Sequence, residues 1–314
     1  MIDKEPQGVN QGFIRSYFTE SCRNAMLQVY LSLFENSETP TVLLPAYIGL
    51  SKIEGSGVFD PIKESKIKYL FYKLDHELKP NLSDISNLMK KSDIDLFVII
   101  NYFGWKPSNY SNILKLMNDS GVKILEDNAH CLFRFNDYLN SQDMEVDYSV
   151  FSIHKFIAAK SGGILVVKNC QSNFLDTIAK PDLLAYSKAS INKIYSQRES
   201  NFKQIHKFFS QHKTHSFQPF FSRAEDNLLH PLNYPLRFIE KSVRHEFYLC
   251  LIENGIVPTS LYHQLIPELD QNLFPESVNI ANTILNLPIH HEVGSENIDH
   301  MLSMLLSLDK RYSS

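Results

Sequence analysis

The chain has 314 residues, of which 43% are hydrophobic and 21% charged, and its formal net charge is −4. This composition is that of an ordinary globular protein of one or two domains, and the charge leaves no basic footprint for nucleic acid. The four cysteines are scattered without a C-x-x-C pair, so the sequence predicts neither a zinc site nor a disulfide framework. No apolar run approaches the roughly 20 residues of a membrane span, and the polar N-terminus differs from a secretion signal. We therefore expect a cytoplasmic protein that binds neither nucleic acid nor membrane.

The first two-thirds of the chain alternates helix-like and strand-like patterns. An amphipathic helix is predicted over 21–34, and the most apolar strand is predicted over 95–104. Further elements are strands at 41–45 and 67–72, helices at 82–91 and 111–121, and strands at 122–127, 148–151 and 164–167. Near-continuous apolar strands separated by helices predict a mostly parallel sheet with helices on both faces.

After residue 170 the pattern changes to that of a smaller α+β lobe. A long polar helical region covers 183–209, and a loop-rich stretch covers 217–237. The remaining elements are a helix at 237–255, a strand-like run at 256–262, and more helix and strand between 277 and 306. We therefore predict an α/β protein with a large domain over 1–182 and a smaller C-terminal α+β domain over 183–314.

Polar segments directly follow several of the predicted strands: PAYIG, NYFGW, EDNAH and SIHK. Because ligands of parallel sheets bind at the carboxyl ends of the strands, we expect these segments to meet at one site. Two of them contain an aspartate, a histidine, a serine and a lysine, which are Asp127, His130, Ser152 and Lys155. A carboxylate can hold a protonated ring nitrogen, an imidazole can bond a phenolic oxygen, a hydroxyl can bind phosphate, and a lysine can form an imine with an aldehyde. With the helix start SCRN, whose free N–H groups can bind the same phosphate, the set describes a pocket for pyridoxal phosphate.

Each of these residues also has an ordinary structural explanation. A strand-end aspartate is more often a helix cap or an ion-pair partner, a single histidine is usually structural, and Lys155 alone could be a surface lysine. Lys160, which precedes the glycine pair at 162–163, is the competing candidate for the lysine that attaches the cofactor. The functional interpretation rests on the four residue types occurring together and in order at predicted strand ends.

The succession of ILEDNAH, FSIHKF and GG resembles the DegT/StrS-type aminotransferases, which are fold type I pyridoxal-phosphate enzymes that commonly aminate keto-sugar nucleotides. The helix start SCRNA, the strand ends VLLPAYIG and INYFG, and the C-terminal ILNLPIHH resemble further motifs of that family. The resemblance covers most of the chain. It implies the fold type I architecture, in which a mostly parallel central sheet is flanked by helices and followed by a smaller α+β lobe.

The resemblance also implies roles for individual residues. EDNAH matches the motif E-D-x-A-[QH], so Asp127 would pair with the pyridine nitrogen and His130 would lie near the phenolic oxygen. Cys22 and Arg23 fall in the helix start that anchors the phosphate. Asn201 falls in a segment whose asparagine reaches the phosphate of a neighbouring subunit, which implies a homodimer with contacts along this helix.

The chain departs from many family members at the lysine. Those members carry it five residues after the serine, where this chain has Ile157. The spacing S-x-x-K, with Lys155 three residues after Ser152, matches a divergent branch. We therefore assign the attachment of the cofactor to Lys155, with Lys160 as the alternative.

A second departure concerns the aromatic side chain that stacks on the cofactor ring. Ile48-Gly49 occupy the place of the usual aromatic residue, so we expect Tyr47 or Tyr102 to cover the ring instead.

Taken together, the resemblance implies a pyridoxal-phosphate-dependent aminotransferase that aminates a keto-sugar nucleotide in surface polysaccharide or related biosynthesis. Lys155, Asp127 and His130 are its implied catalytic residues, and glutamate is the implied amino donor. Two alternatives stay open, namely another reaction on a keto-sugar, such as dehydration, and a non-catalytic or regulatory member of the fold. Dehydratases of the family carry histidine in place of the lysine, so Lys155 favours transamination; the short chain and the missing aromatic motivate the non-catalytic alternative.

Overall fold

The structure is a computed structural model and describes residues 14–51, 57–141, 144–169, 173–221, 228–259 and 261–312. The N-terminal segment that differs from a secretion signal and Cys170 lie outside these ranges. No helix within them is long and apolar enough to cross a membrane.

The main sheet is built from seven strands of the described chain. In chain order these are β1 (Ile14–Thr19), β2 (Thr41–Pro45), β3 (Lys68–Tyr72), β4 (Leu96–Ile100), β5 (Lys123–Asn128), β6 (Tyr148–Ser152) and β7 (Gly163–Lys168). Their order across the sheet is β1-β7-β6-β5-β4-β2-β3. Strands β2 to β6 are mutually parallel, and β7 runs antiparallel to both of its neighbours, β6 and the edge strand β1. The prediction of a mostly parallel α/β sheet is confirmed.

The inner strands are almost completely buried because helices cover the sheet. All five residues of β4 and all five of β6 are buried. The helices of this part of the chain are α1 (Cys22–Leu33), α2 (Asp60–Ser65), α3 (Leu82–Met89), α4 (Tyr110–Asp119) and α5 (Arg134–Ser141). In α1 the apolar residues recur at helical spacing, and the helix buries Ala25, Met26, Val29, Tyr30 and Leu33.

A smaller antiparallel sheet follows in the C-terminal part. Its strands are β8 (Phe217–Pro219), β9 (Asn233–Phe238) and β10 (Ile284–Pro288), in the order β10-β9-β8. The helices of this part are α6 (Lys180–Lys188), α7 (Ile191–Gln211), α8 (Lys241–Glu253), α9 (Pro275–Thr283) and α10 (Ser295–Asp309). Helix α6 runs across the predicted domain boundary at residue 182, and the division into two domains stays a prediction.

Several element predictions need correction. The strand predicted over 95–104 ends at Ile100, because Tyr102–Gly104 form a 3₁₀ turn in which Phe103 and Gly104 have φ angles of 57° and 105°. The helical region 183–209 consists of two helices that meet near Ala189. The run 256–262 is not a strand; in its described part only Thr259 makes a bridge, to Asn286. Strand β1 was not predicted, since an edge strand with exposed residues carries no continuous apolar signal.

Candidate active site

A pocket lies where strands β5 and β6 end and helix α1 begins. Five residues predicted from the sequence line it: Cys22, Arg23, Asp127, Ser152 and Lys155. The other described lining residues are Ser21, Met26, Gly57, Val58, Ala129, His154 and Tyr262. The expectation that the polar strand ends meet at one site is thus met for EDNAH and SIHK, together with the start of α1.

The first turn of α1 presents unused backbone donors to this pocket. Ser21 caps the helix, because its hydroxyl accepts the N–H of Asn24 at 3.1 Å. Within the described ranges no acceptor is found for the N–H groups of Cys22 and Arg23. Free N–H groups at a helix start, together with the helix dipole, bind anions such as phosphate.

A glycine at the start of β7 allows α1 to come this close to the sheet. A Cβ on Gly163 would lie 2.4 Å from the carbonyl carbon of Ser21 and 2.5 Å from the nitrogen of Cys22. Both are backbone atoms and cannot move aside without displacing the helix. The second glycine of the GG pair therefore sets the position of the α1 N-terminus, next to Ser152, its partner on β6.

Asp127 is a buried carboxylate near the end of β5, with 3% of its surface exposed. Its Oδ1 accepts the N–H of Ala129 at 2.8 Å, and the Cys22 thiol donates to the same oxygen at 4.0 Å. Burial raises the pKa of Asp127, although the Ala129 N–H and the charge of Lys155 act in the opposite direction. A carboxylate that is short of charged partners in a pocket is suited to a cationic ligand group, such as a protonated ring nitrogen.

His130 is buried, and the structure defines which of its ring nitrogens carries the proton. Its Nδ1 accepts the backbone N–H of Phe103 at 3.0 Å. Burial, followed by the charge of Lys155, lowers the pKa of His130 well below its ordinary value, so the ring is neutral. A neutral imidazole whose Nδ1 accepts must carry its proton on Nε2. That Nε2 is buried and makes no hydrogen bond within the described structure, so it is a donor that awaits an acceptor.

Lys155 follows Ser152 by one turn and directs its amine to the pocket. Burial lowers the pKa of its ammonium, and Arg23 contributes in the same direction, against the opposing effects of Asp127 and Cys22. A lysine with a lowered pKa is more often in the neutral, nucleophilic form. No hydrogen bond or ion pair of Nζ is found among the described residues.

The alternative lysine occupies a different environment. Lys160 is exposed and does not line the pocket. Its backbone N–H donates to Oδ1 of Asp182 at 2.9 Å, which ties this part of the loop to α6.

Ser152 and Arg23, which are predicted to lie near a phosphate, both line the pocket. Ser152 is buried, and its Oγ lies 3.4 Å from Nδ1 of His154. The guanidinium of Arg23 bonds Asp60 at 2.9 Å in a partly exposed ion pair. Its side chain fills the space over Gly57, where a Cβ would lie 2.0 Å from Arg23 Cδ.

The two predicted ring-covering tyrosines lie behind the pocket. Tyr47 and Tyr102 are buried, and the Tyr102 hydroxyl donates to the carbonyl oxygen of Tyr47 at 2.5 Å. Their rings lie 5.1 Å and 5.5 Å from the ring of Tyr262, which does line the pocket. That Tyr47 or Tyr102 covers a cofactor ring stays a prediction.

Tyr262 is a pocket residue that the sequence analysis missed. It adopts the left-handed conformation at φ 63°, which costs a non-glycine residue about 1–3 kcal/mol and is enriched at functional sites. It closes the run 256–262, which the sequence analysis interpreted as a strand. In the sequence, Tyr262 is marked only as an aromatic residue after a stretch that contains a proline. This pattern does not indicate that the residue lies at the pocket.

Asn201 lies on α7 and makes its hydrogen bonds within its own chain. Its Nδ2 donates to the carbonyl oxygens of His290 and Val293 at 3.0 Å each, and its Oδ1 accepts from Gln197. It is buried and does not line the pocket. Its predicted role as a ligand in a neighbouring subunit stays a prediction, and that role would require Asn201 to give up these bonds.

The residues of the pocket fit pyridoxal phosphate by their chemistry. The free N–H groups of α1 and the Ser152 hydroxyl suit a phosphate, and the Asp127 carboxylate suits the ring nitrogen. The amine of Lys155 suits an aldehyde. His130 is not among the described lining residues of the pocket, and its unsatisfied Nε2–H suits a phenolic oxygen. Apart from the Ser152 hydroxyl, which contacts His154, these groups otherwise lack a partner or carry a shifted pKa.

The fold is shared with solved aminotransferases. The putative sugar aminotransferase Spr1654 from Streptococcus pneumoniae superposes with a TM-score of 0.74 at 12% identity, over 95% of this chain and 86% of that one. PseC of Helicobacter pylori, an aminotransferase involved in the biosynthesis of pseudoaminic acid, gives 0.72 at 16% identity, over 95% and 87%. A DegT DnrJ EryC1 StrS aminotransferase from Brucella abortus gives 0.70 at 13% identity, over 96% and 86%.

These similarities confirm the predicted fold class. No family model matches the sequence, and no curated protein matches it either. The fold is that of the fold type I aminotransferases.

Proposed function

We propose that the protein is a pyridoxal-phosphate-dependent aminotransferase that aminates a keto-sugar nucleotide, with glutamate as the amino donor. The observation that carries this proposal is Lys155, a lysine of lowered pKa in a pocket it shares with Asp127 and the open N-terminus of α1. The names of the similar structures, which include sugar aminotransferases, support the substrate class.

Each side chain has a defined task in this reaction. The N–H groups of Cys22 and Arg23 and the hydroxyl of Ser152 bind the phosphate. Asp127 would keep a proton on the pyridine nitrogen, so that the cofactor would supply an electron sink for the bond that breaks at the amino acid Cα. The Nε2–H of His130 donates to the phenolic oxygen.

Lys155 has two tasks, and both need its amine to be neutral. First, Nζ would hold the aldehyde carbon of the cofactor through a C=N bond, whose formation releases the carbonyl oxygen as water. Second, once the amino donor has taken its place, Nζ would accept the proton from Cα of the donor as a general base and return it as a general acid. Burial, which lowers the Lys155 pKa, keeps the amine available for both tasks.

Dimerisation and cellular location are part of the same proposal. We propose a homodimer with the site near the subunit boundary, acting in the cytoplasm. The exposed leucines of α6 support a contact surface there, with 37% of Leu183 and 54% of Leu184 exposed.

The test is a cofactor-binding and half-reaction experiment. The purified chain is saturated with pyridoxal phosphate, and its visible absorbance is followed as glutamate is added, with alanine and glutamine as competing donors. We expect a coloured protein that is bleached by its amino donor and recovers its colour when a nucleotide-linked keto-sugar is added. A protein that binds no cofactor at saturating concentration would contradict the proposal and favour the non-catalytic alternative. Colour without bleaching by any donor would favour a different reaction on the same cofactor.

A further inference from the structure

The lysine-bearing turn is held from a helix outside the pocket. Phe156 and Ile157 both donate their N–H groups to the carbonyl oxygen of Ile153, which closes one turn after β6. Arg198 of α7 reaches this turn from the C-terminal part of the chain. Its Nη2 donates to the carbonyl oxygen of Lys155 at 3.4 Å, and its guanidinium lies 4.9 Å from the ring centroid of Phe156.

The same guanidinium is anchored on its other side. Its Nη1 donates to the carbonyl oxygen of Leu232 at 2.9 Å, in the residue before β9. The planar fork of Arg198 therefore links three parts of the chain: α7, the Lys155 turn and the approach to β9. A lysine has one ammonium group without a fork, so it cannot reproduce both bonds and the stacking together.

The burial of Arg198 at this position has an unfavourable desolvation free energy. Only 2% of its surface is exposed, and no ion pair of Arg198 with a carboxylate is found in the described part of the chain. Burial lowers its pKa to about 10, and its Nε is also buried without a partner. A buried cation without a counter-charge destabilises a fold, whereas an apolar side chain of similar length would not. Both Nη groups donate hydrogen bonds to backbone carbonyl oxygens, those of Leu232 and Lys155. These contacts indicate that Arg198 positions the backbone at these two residues.

We propose that Arg198 is a positioning residue that fixes the backbone of Lys155 and thereby the reach of its Nζ into the pocket. The proposal rests on the proposed function in one respect, namely that Lys155 is the residue to be positioned. Arg198 does not line the pocket, and it acts through the carbonyl group of Lys155 and the ring of Phe156.

The test measures Lys155 itself in the full-length chain freed of any cofactor. Acetylation by acetic anhydride is followed across pH for each lysine by peptide mapping, with exposed Lys160 as the internal reference. The titratable and charged groups around Lys155 stay unchanged in all variants: Cys22, Arg23, Asp127, His130, Cys131 and His154. In the wild type we expect the pH midpoint of Lys155 to lie below that of Lys160.

Two substitutions at one position separate geometry from charge. Arg198→Lys keeps the positive charge and loses the fork, whereas Arg198→Met loses both. We expect both variants to move the Lys155 midpoint upward, toward that of Lys160, because the freed turn lets water reach the amine. We also expect about tenfold less covalent attachment of pyridoxal phosphate, which is the order of effect of losing one charged hydrogen bond.

Two further variants serve as a negative control and as an independent test of the same contact. Lys203→Met on the same helix removes an exposed lysine that pairs with Glu199, and it should leave the midpoint unchanged. Phe156→Leu removes the ring under the guanidinium and should move the midpoint in the same direction as the Arg198 variants, which gives a second measurement if an Arg198 variant does not fold.

Each result supports or overturns the proposal. A shift in Arg198→Met but not in Arg198→Lys would assign the effect to charge and overturn the positioning role. An unshifted midpoint in both variants, or equal midpoints for Lys155 and Lys160 in the wild type, would overturn it as well. If the wild-type midpoint of Lys155 is lowered but the protein binds no pyridoxal phosphate, the proposed function is contradicted. The effect of the Arg198 variants on the Lys155 midpoint can still be measured in that case.

Discussion

At the scale of single residues, burial moves three ionisable groups away from their ordinary states. Asp127 and Lys155 line the pocket, and the ring of His130 lies 6.1 Å from that of the lining residue Tyr262. Burial lowers the pKa of Lys155 and of His130 and raises that of Asp127, so all three shifts favour the uncharged forms. A ligand with a cationic ring nitrogen would reverse the shift of Asp127, since an adjacent positive charge favours the carboxylate. The pocket is therefore suited to a ligand that places a cationic group beside Asp127.

Replacing the two candidate lysines separates their roles. Lys155→Ala should abolish covalent attachment of the cofactor, because no other lysine lines the described part of the pocket. Lys160→Ala should leave colour and activity largely intact, because this residue is exposed. Borohydride reduction of the cofactor-saturated wild type, followed by peptide mapping, should place a pyridoxyl adduct on Lys155. An adduct on Lys160 would overturn the assignment.

Asp127→Asn tests the contact with the ring nitrogen. The amide keeps the size of the side chain, so the cofactor should still bind, but it cannot stabilise a pyridinium. A charge-assisted hydrogen bond is worth about 1.5–3 kcal/mol, and more where the ring must accept electrons, so most transamination should be lost. The measurement is single-turnover bleaching by glutamate, compared with the equilibrium affinity for the cofactor. Turnover close to that of the wild type would remove Asp127 from this role.

At the scale of elements, strand β5 carries two adjacent carboxylates, of which Glu126 makes structural hydrogen bonds and Asp127 lines the pocket. Glu126 points away from Asp127, since neighbouring side chains of a strand face opposite sides of the sheet. It accepts hydrogen bonds from Asn101, Tyr110 and Tyr138, which lie on or beside other elements. The hydrogen bonds of Glu126 are thus all made within the fold, whereas Asp127 faces the pocket and can contact a ligand.

The contact between α1 and β7 gives a test at this scale. Gly163→Ala should destabilise the protein by about 1–3 kcal/mol, since the new methyl group meets backbone atoms of Ser21 and Cys22. It should also weaken the binding of pyridoxal phosphate more than that of pyridoxal, because the displaced element is the one that carries the phosphate donors.

The control is a glycine with space around it. A Cβ on Gly294 would meet only the side chain of Asn297, at 4.0 Å. Gly294→Ala should therefore leave the affinity for the cofactor unchanged and alter the melting temperature little. If Gly163→Ala kept full phosphate-dependent affinity, the close approach of α1 would not be what positions the phosphate donors.

The sequence predicted those elements whose signal is local. The apolar runs of β2, β4 and β6 and the helical spacing of α1 determine these elements by themselves, and the polar residues at their ends mark the site. Strand β1 could not be predicted, because it is defined by pairing with β7, far away along the chain. The same holds for Tyr262 and Arg198, whose places depend on tertiary contacts between the C-terminal part and the main sheet.

At the scale of the whole molecule, the fold identifies the structural class of the protein but does not identify its substrate. Structures that share only 12–16% of their residues with this chain superpose over about nine-tenths of their lengths. A fold of this kind supports many reactions, so the substrate has to be argued from the site. The residues on which the proposed function depends are few, and Asp127, Ser152 and Lys155 lie at or just after strand ends in one pocket.

The proposed homodimer gives the last prediction, which concerns α6. Asp182 on this helix accepts from the Lys160 N–H and the Ser161 hydroxyl, so α6 is tied to the loop that follows Lys155. Beside it, 54% of Leu184 is exposed. Burial of a leucine side chain contributes about 1.5–3 kcal/mol, so a charge in its place should weaken a dimer that covers this face.

We therefore expect Leu184→Glu to lower the dimer content and the retention of the cofactor together, as measured by sedimentation and by absorbance at equal protein concentration. Leu273→Glu alters a comparably exposed leucine that is not part of α6, with 57% of its surface accessible, and it should change neither quantity. A wild-type chain that sediments as a monomer at micromolar concentration with its cofactor bound would refute the dimer, because the site would then be complete within one subunit.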